Sequence, residues 1–345
     1  MPRNKAPAPR TVVVLGVPRG GTSVVAGVLR HLGIYMGVGL TEHYEDWAFY
    51  VTLRGGLTPR DLKVNRLLVD HLKDTIFARN QAHTLWGWKR PGTVTYLDRI
   101  ETQLRNPCYL VPVRGLVDVA LSTQRHSGHD PARTLQRGAR QYQQIFSVVA
   151  SGDRSALLFD YDSALEHREQ FVARLVDFIG LQPDGEQLAA ATAFVKPGEG
   201  YQPPHRAGIS GVVDQVEPQR VRGWACDRGA PEQAIELCLL LDGQERAVVT
   251  ANLPRGDVAA AGKHPTGRCG FRIALPPSQA IAPGQEVRVV DSAHCIDLVK
   301  SGMLYRPGLW ELIPGGEARG AGWLGGTDTW RRALASLWQR TKASG

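Results

Sequence analysis

A glycine-rich segment between a predicted strand and a predicted helix constrains the fold of this chain most strongly. Residues 11–16 are a short β-branched run ending in glycine, typical of a buried parallel strand, and residues 22–32 have apolar side chains at helical spacing. The segment between them, Gly16-Val-Pro-Arg-Gly-Gly-Thr-Ser23, lies where backbone N–H groups and a helix dipole can hold a phosphate. We therefore expect a parallel sheet with an anion site after its first strand.

The same alternation continues along the first two thirds of the chain. Residues 108–113 and 155–161 are further strand candidates, and helices are predicted from about Val117 and over residues 163–179. Strands that alternate with helices indicate an α/β fold, here a P-loop parallel sheet flanked by helices.

The pattern of apolar and polar residues changes after a Pro- and Gly-rich stretch at residues 197–208. Short apolar runs with turn residues between them then recur, which predicts a small all-β sandwich. Near the C-terminus Trp330, Leu334 and Trp338 fall on one face of a predicted amphipathic helix. The predicted domains are a basic tail (1–10), an α/β domain (11–200), a linker (201–208), a β-sandwich module (209–302) and a C-terminal tail (303–345).

Composition narrows the class of ligand and the compartment. Residues 1–207 carry 25 Lys and Arg against 19 Asp and Glu, which suits a small polyanion, whereas no basic run with interleaved aromatic residues indicates nucleic acid. No apolar run is long enough to span a bilayer, and no signal-peptide pattern follows the first ten residues. Five scattered cysteines without a CxxC motif favour reduced thiols, so we expect a cytoplasmic protein.

The glycine segment differs from that of a nucleotide triphosphatase. The spacing from Gly16 to Gly21 matches a P-loop, but Gly21-Thr22-Ser23 replaces Gly-Lys-Ser/Thr, and the cation is instead Arg19, inside the loop. The segment is therefore expected to hold a terminal phosphate without a magnesium triphosphate, and no metal site is predicted. A P-loop kinase acting on a small molecule remains an alternative.

Four segments, in order, resemble the sulfotransferases that use 3′-phosphoadenosine 5′-phosphosulfate (PAPS). VLGVPRGGTSVVAGVLRHLG resembles their 5′-phosphosulfate loop, with Gly20 in place of a common serine. WGWKRPGTVTYL resembles a Lys-x-Pro segment, through Lys89 and Pro91. NPCYLVPVRGLVDVALSTQRH resembles the 3′-phosphate site, and LLFDYDSALEHREQFVARLVDFIGL resembles the closing strand and helix. The resemblance covers roughly residues 11–200.

The resemblance implies a set of ligands for PAPS, or for its product 3′-phosphoadenosine 5′-phosphate (PAP). Arg114 and Ser122, eight residues apart as in the family, would bind the 3′-phosphate. Arg19 would meet the bridging oxygen as the S–O bond breaks, and Lys89 would contact the sulfuryl group or a phosphate. Trp86 and Trp88 either stack on adenine or pack in the core. The residues of the 5′-phosphosulfate loop would be Pro18, Arg19, Gly20, Gly21, Thr22 and Ser23.

The family takes the acceptor proton with a His or a Glu from the region after the first helix, here TEHYEDWAFYVTL. Glu45 is the first choice, with His43 and Asp46 as alternatives, and efficient base catalysis requires the pKa of Glu45 to rise toward neutrality. The competing interpretation is that these acidic residues only cap a helix.

The β-rich residues resemble a module appended to some bacterial glycosyltransferases and related glycan enzymes, through Gly223-Trp224-Ala225, Arg255-Gly-Asp257 and Gly270-Phe271. This module either packs or oligomerises, or it binds a glycan or another partner. The C-terminal helix either docks on the protein or contacts a membrane surface. The predicted function is transfer of a sulfuryl group from PAPS to a hydroxyl, first of all on a bacterial glycan precursor, with a peptide tyrosine, a lipid or a metabolite left open. A non-catalytic protein that binds PAP and glycans is the alternative outside enzymology.

Overall fold

A computed structural model describes residues 8–41, 43–53, 58–151, 154–196 and 208–312. The chain divides into two compact units: unit 1 comprises Met1–Gly37 and Glu42–Pro203, and unit 2 comprises Val38–Thr41 and Pro204–Gly345. The predicted linker at 201–208, apart from Gly208, and the predicted amphipathic helix at 327–342 lie outside the described residues.

Unit 1 contains a parallel four-stranded sheet, as the sequence predicts. Its strands are β1 (Arg10–Val14), β2 (Leu85–Lys89), β3 (Cys108–Val113) and β4 (Ser155–Asp160), in the spatial order β2-β1-β3-β4. Every pairing is parallel, and the last residues of β1 and β2, Val14 and Lys89, are register partners. The predicted P-loop α/β fold class is confirmed for this unit.

Helices connect these strands and flank the sheet. Proline or a capping side chain starts several of them: the Thr58 hydroxyl accepts from Asp61 N–H, and Asp130 and Asp184 cap in the same way. The predicted helix over residues 163–179 is interrupted at His167 and forms two helices. The helices are α1 (Thr22–His31), α2 (Pro59–Ala82), α3 (Leu116–Ser127), α4 (Pro131–Ala150), α5 (Tyr161–Glu166), α6 (Arg168–Ile179) and α7 (Gly185–Phe194).

Apolar strand residues form the core of unit 1. Val12, Val13 and Val14 of β1 and Leu15 directly after it are fully buried. This burial agrees with a central strand that is covered on both faces. Trp86 and Trp88, on β2, are also fully buried, and the ring of Trp88 stacks on Phe49 at 4.2 Å between centroids. This core fixes the ends of the strands, from which the candidate site is built.

Unit 2 contains two antiparallel four-stranded sheets, with the strand orders β5-β6-β10-β9 and β12-β11-β7-β8. The all-β character predicted for this part is confirmed. Its elements are β5 (Ile209–Glu217), β6 (Arg220–Asp227), β7 (Glu236–Leu241), β8 (Gln244–Thr250), β9 (Leu253–Pro254), α8 (Gly256–Ala260), β10 (Arg268–Ala274), β11 (Glu286–Asp291), β12 (Met303–Leu304) and α9 (Leu309–Leu312).

One short segment from early in the chain belongs to unit 2, which the sequence did not indicate. Within that unit Gly39 has a φ of +56°, and a Cβ at this position would lie 2.7 Å from the carbonyl oxygens of Leu298 and Ser301. Glycine is therefore required where the segment meets the turn at 298–302.

All five cysteines are free thiols, and four of them are buried. None of the helices in the described part of the chain is both long and apolar enough to cross a bilayer.

Candidate active site

Every parallel strand of unit 1 delivers a polar residue at its carboxyl end. Arg19 follows β1, Lys89 ends β2, Arg114 follows β3 and Tyr161 follows β4. Because the carboxyl ends of parallel strands lie on one edge of the sheet, this edge is where α/β proteins bind ligands. We call this group of strand ends and the loops beyond them the carboxyl edge.

The glycine loop after β1 presents the start of α1. Arg19 and Gly21 both have left-handed backbone, with φ of +64° and +89°. A Cβ at Gly21 would lie 2.0 Å from the ring of Tyr161, so the loop and the end of β4 approach as closely as only glycine allows. Gly21 is also the N-cap of α1 and has no side chain to accept from the first-turn N–H groups. The N–H of Val24 donates to the carbonyl of Gly21 at 3.2 Å, which leaves the N–H groups of Thr22 and Ser23 to serve as anion donors.

Gly20 lies in a tight turn with Val17 that leaves little room for a side chain. Its N–H donates to the carbonyl of Val17 at 3.0 Å, and a Cβ at Gly20 would lie 2.8 Å from a Val17 methyl group. That Cβ would also lie 2.9 Å from the carbonyl oxygen of Val17, so the serine that is common in the resembling family would require the Val17 backbone to move.

Arg114 and Ser122 are brought together with Arg19. Arg19 Nε donates to Ser122 Oγ at 3.2 Å, and Arg114 Nη1 donates to the carbonyl oxygen of Arg19 at 3.1 Å. The Arg114 guanidinium lies 5.0 Å from the centroid of the Tyr161 ring, and its backbone N–H donates to Tyr142 Oη at 2.9 Å. Two arginines and a hydroxyl therefore converge beside the glycine loop.

The buried Nε of Arg114 has no hydrogen-bond partner among the described residues. Leaving a buried charged donor unpaired is costly, and an anion in front of the guanidinium would satisfy it. This orphaned donor, the start of α1 and the nearby Arg19 fit a ligand that carries two anionic groups.

A second cluster surrounds Glu45. Lys89 Nζ lies 3.5 Å from Glu45 Oε1, and Arg90 Nη1 donates to Glu45 Oε2 at 2.8 Å. The guanidinium of Arg90 also lies 3.6 Å from the centroid of the Tyr50 ring, a cation–π contact. The Lys89 side chain is 2% exposed and that of Glu45 is 14% exposed, so the carboxylate is held between two cations at a nearly closed position.

Charge and burial act against each other on this cluster. Burial raises the pKa of Glu45, but the positive charges of Lys89 and Arg90 lower it by more, so the pKa lies below its ordinary value. Burial lowers the pKa of Lys89, and the attraction of Glu45 offsets this only in part. Glu45 is thus ionised at neutral pH, and the rise in pKa that base catalysis requires is not present in this arrangement.

His43 and Asp46 contribute differently from Glu45. The carbonyl oxygen of His43 accepts from Lys89 Nζ at 2.7 Å and from Ser23 Oγ at 3.1 Å. Asp46 is 2% exposed and accepts from Ala48 N–H, which caps the 3-10 helix Trp47–Phe49, and from Arg79. The helix-capping interpretation therefore holds for Asp46.

The two tryptophans of β2 belong to the core. Trp86 and Trp88 are both 0% exposed, and their indole N–H groups donate to Asn80 and Thr93. Of the two alternatives weighed for them, the structure supports packing in the core, because neither ring has a face available to a ligand.

Sequence reasoning missed several residues at the carboxyl edge. Arg90 directly follows the motif lysine, and Tyr161 is the last residue of the strand predicted at 155–161, so their positions could have indicated them. Gln141 and Tyr142 come from the middle of α4, where no local signal distinguishes them; Gln141 Nε2 nonetheless bonds the carbonyl oxygens of Gly16 and Pro91. Only the tertiary fold brings these two residues to the site.

Comparisons with known proteins give similar folds at low identity. No protein-family model and no curated protein matches the sequence. Among solved structures, the sulfotransferase domain from the curacin biosynthetic pathway is 18% identical, covering 54% of this chain and 78% of that one, with a TM-score of 0.35. The sulfotransferase domain of the Synechococcus PCC 7002 olefin synthase is 20% identical over 55% of this chain and 79% of its own, with a TM-score of 0.38.

A sugar kinase from Janibacter sp. HTCC2649 is similar to the same degree. It is 21% identical, covers 51% of this chain and 97% of its own, and has a TM-score of 0.36. Likenesses at this level do not separate a sulfotransferase from a kinase. The function must be argued from the site itself.

Proposed function

We propose that this protein is a sulfotransferase that moves a sulfuryl group from PAPS to an acceptor hydroxyl by metal-independent in-line transfer. The observation that carries the proposal is the convergence of Arg19, Lys89 and Arg114 at the carboxyl edge, with an ionised Glu45 beside Lys89. PAPS has anionic groups at both its 5′ and 3′ positions, which suits cations contributed from three separate strand ends.

Two parts of the site match the two anionic ends of the donor. Arg114, whose Nε has no hydrogen-bond partner among the described residues, and Ser122 would hold the 3′-phosphate. The glycine loop, with Thr22 and Ser23 at the start of α1, would hold the 5′-phosphosulfate. Arg19, within the loop, stabilises the negative charge that builds on the leaving oxygen. Lys89, at the end of β2, stabilises the sulfuryl group.

The loop chemistry favours sulfuryl over phosphoryl transfer. A triphosphate site uses a P-loop lysine together with magnesium to offset its charge, and Thr22 stands where that lysine would be. A sulfuryl group carries less charge than a terminal phosphate, so arginine and lysine side chains suffice to stabilise its transfer.

Glu45 is the proposed base that takes the proton from the acceptor hydroxyl. Its carboxylate is ionised and can accept a proton, but Lys89 and Arg90 hold its basicity down. An anionic donor that engages Lys89 weakens this restraint, so the pKa of Glu45 rises when the donor is present. Base strength and donor binding are thereby coupled through Lys89.

The proposed acceptor is a hydroxyl on a glycan or glycan precursor, which rests on the resemblance of residues 209–302 to modules of glycan enzymes. Unit 2 either packs or oligomerises, or it binds the glycan or another partner. The proposed compartment is the cytoplasm. A peptide tyrosine, a lipid or a metabolite as acceptor is an outcome of the assay below.

Two measurements on the full chain test the proposal. Calorimetry compares PAP, ADP and AMP with and without magnesium, and PAP is expected to raise Tm the most without any metal. Sulfuryl transfer from ³⁵S-labelled PAPS is then assayed with a panel of methyl glycosides, 2-naphthol, a tyrosine peptide and an alkyl alcohol, with water as the background acceptor.

The outcomes separate the competing functions. Equal stabilisation by AMP and PAP would contradict the 3′-phosphate site, since PAP differs from AMP only by its 3′-phosphate. Magnesium-dependent transfer from ATP would favour a kinase. Binding of PAP with no turnover of PAPS, even to water, would favour a non-catalytic binding protein.

A further inference from the structure

A buried arginine on α2 lies directly behind the Glu45 segment. Arg79 is 7% exposed, and its guanidinium is surrounded by three aromatic rings at 5.1–5.5 Å from their centroids, those of Phe49, Tyr35 and Trp86. It belongs to the last turn of its helix, where the dipole favours a cation. An arginine buried this deeply must be paired with a negative charge.

Asp46 provides that charge and uses both of its oxygens. Oδ2 accepts from Arg79 Nη1 at 2.5 Å, and Oδ1 accepts from Ala48 N–H at 3.0 Å. The ion pair therefore ties α2 to the start of the 3-10 helix Trp47–Phe49. Asp46 directly follows Glu45, so this tie fixes the backbone on one side of the carboxylate.

The other side of Glu45 is fixed as well. Tyr44 is 1% exposed, has a φ of +60° and makes an edge contact with the ring of Phe194. A left-handed tyrosine persists only where its surroundings determine its conformation. The carbonyl of His43, one residue further back, accepts from Ser23 and Lys89.

Glu45 thus reaches the carboxyl edge from a segment anchored on both flanks. A carboxylate on an unanchored loop would sample many positions, and a misplacement of about 1 Å can cost on the order of a hundredfold in rate. The ion pair and its capping bond join α2 to the 3-10 helix Trp47–Phe49, so the effect of the pair on the donor site is expected to be small.

We propose that Arg79 and Asp46 are a positioning pair that holds Glu45 in its catalytic place, which rests on the proposed role of Glu45 as the base. Asp46, one of the alternative bases predicted from the sequence, then acts through its neighbour and not on the acceptor. The competing view is that the pair only stabilises unit 1.

The test compares kcat for Arg79→Lys in the wild-type and Glu45→Gln backgrounds, using labelled PAPS and the best acceptor of the panel above, or water. Arg79→Lys keeps the charge but loses the planar fork, and is expected to lower kcat at least about tenfold with PAP affinity within about twofold. In the Glu45→Gln background the same change is expected to alter kcat less than about twofold, because the group being positioned is already lost.

Arg154→Lys is the matched control. Arg154 bonds both oxygens of Glu101 at 2.6 Å, also within unit 1, but away from the Glu45 cluster. The Arg154 side chain is 26% exposed against 8% for Arg79, so this control is expected to lose less Tm than Arg79→Lys and to keep kcat. If Arg79→Lys does not fold, the double variant Arg79→Met with Asp46→Asn, which buries no unpaired charge, takes its place with the same expectations.

Three results would overturn the positioning role. The first is wild-type kcat in folded Arg79→Lys, and the second is an equal loss of kcat in both backgrounds. The third is a matching loss of kcat in Arg154→Lys, which would show that lost stability alone explains the effect. If Glu45→Gln by itself keeps full turnover, Glu45 is not the base, and the inference fails together with that part of the proposed function, although transfer from PAPS still stands.

Discussion

Arg114, at the carboxyl edge of unit 1, meets different partners from two arginines of unit 2. In unit 2 Arg255 pairs with Asp214 at 2.6 Å and with Asp257 at 2.7 Å, and Arg288 pairs with Asp297 at 2.7 Å. In unit 1 Arg114 donates to a backbone carbonyl and keeps a buried Nε without a partner among the described residues. The first arrangement neutralises charge within the fold, and the second leaves positive charge for a ligand.

Position in the fold, together with pairing, decides which charged residues can bind a ligand. Arginines paired with carboxylates neutralise charge within the fold, whereas an arginine short of acceptors at the carboxyl edge is suited to bind an anion from outside. Asp297 and Glu45 are both paired with cations, but Asp297 is paired inside unit 2 and Glu45 is paired at the carboxyl edge of unit 1. Four experiments test this distinction.

The largest effect is expected for Glu45→Gln. Glutamine keeps the shape and the hydrogen bonding but cannot take a proton, so turnover of PAPS should fall by about a hundredfold or more while PAP affinity changes little. Asp297→Asn, which removes a carboxylate paired with Arg288 in unit 2, is the control and should keep turnover. Wild-type turnover in Glu45→Gln together with loss in His43→Asn would make the histidine the base.

Gly21→Ala should have the next largest effect. Gly21 and Gly243 both have left-handed backbone, at φ of +89° and +76°, but only the Cβ at residue 21 meets an obstacle, the Tyr161 ring at 2.0 Å. Alanine in this conformation costs about 1–2 kcal/mol in either unit, and at Gly21 the displacement of Tyr161 adds to it. Calorimetry should show a greater loss of Tm for Gly21→Ala than for Gly243→Ala, and titration should show weaker PAP binding for Gly21→Ala alone. Equal losses of Tm would mean that the loop tolerates movement of Tyr161.

Arg114→Ala should weaken PAP binding by about tenfold or more, since a charge-assisted contact of about 1.5–3 kcal/mol is lost. Arg255→Ala removes an arginine of similar burial that is already paired with carboxylates, so it should destabilise unit 2 and leave PAP affinity unchanged. Isothermal titration of both variants with PAP and ADP decides the matter. If Arg114→Ala weakens ADP as much as PAP, the contact is not with the 3′-phosphate.

The sequence predicts the fold of unit 1 because its elements carry local signals. Residues 108–113, proposed as a strand, are the bounds of β3, and α1 begins at the predicted Thr22. Strand β2 was recognised only as a motif, because Leu85–Lys89 includes two tryptophans and a glycine and lacks a β-branched run. No glycine or proline near His167 predicts the break between α5 and α6.

The residues of the candidate site also fall into those that have a local sequence signal and those that do not. Arg19, Arg114 and Ser122 are recognisable because they follow strands at fixed spacing, and the structure brings them together. The restraint of Glu45 by Lys89 and Arg90 depends on residues more than forty positions away, so its direction could not be read locally. Arg79 was missed for the same reason, since an arginine in a long helix resembles any solvated residue until its aromatic surroundings are known.

The smallest expected effect concerns the pH dependence of stability, and it should appear in unit 1 alone. The cations around Glu45 hold its folded pKa below the unfolded value, so its ionised form stabilises the fold above the unfolded pKa of about 4.3. That contribution is lost as the pH falls through the folded pKa, where the carboxylate becomes protonated. The difference in free energy of unfolding between wild type and Glu45→Gln should therefore be greatest near neutral pH and should shrink in acid. Urea unfolding between about pH 6 and about pH 3 measures it, with the transition of unit 2 as an internal reference that should not differ between the two proteins. A difference that stays constant with pH would show that Glu45 is not held by Lys89 and Arg90, and the contrast between a site carboxylate and a structural one would lose its basis.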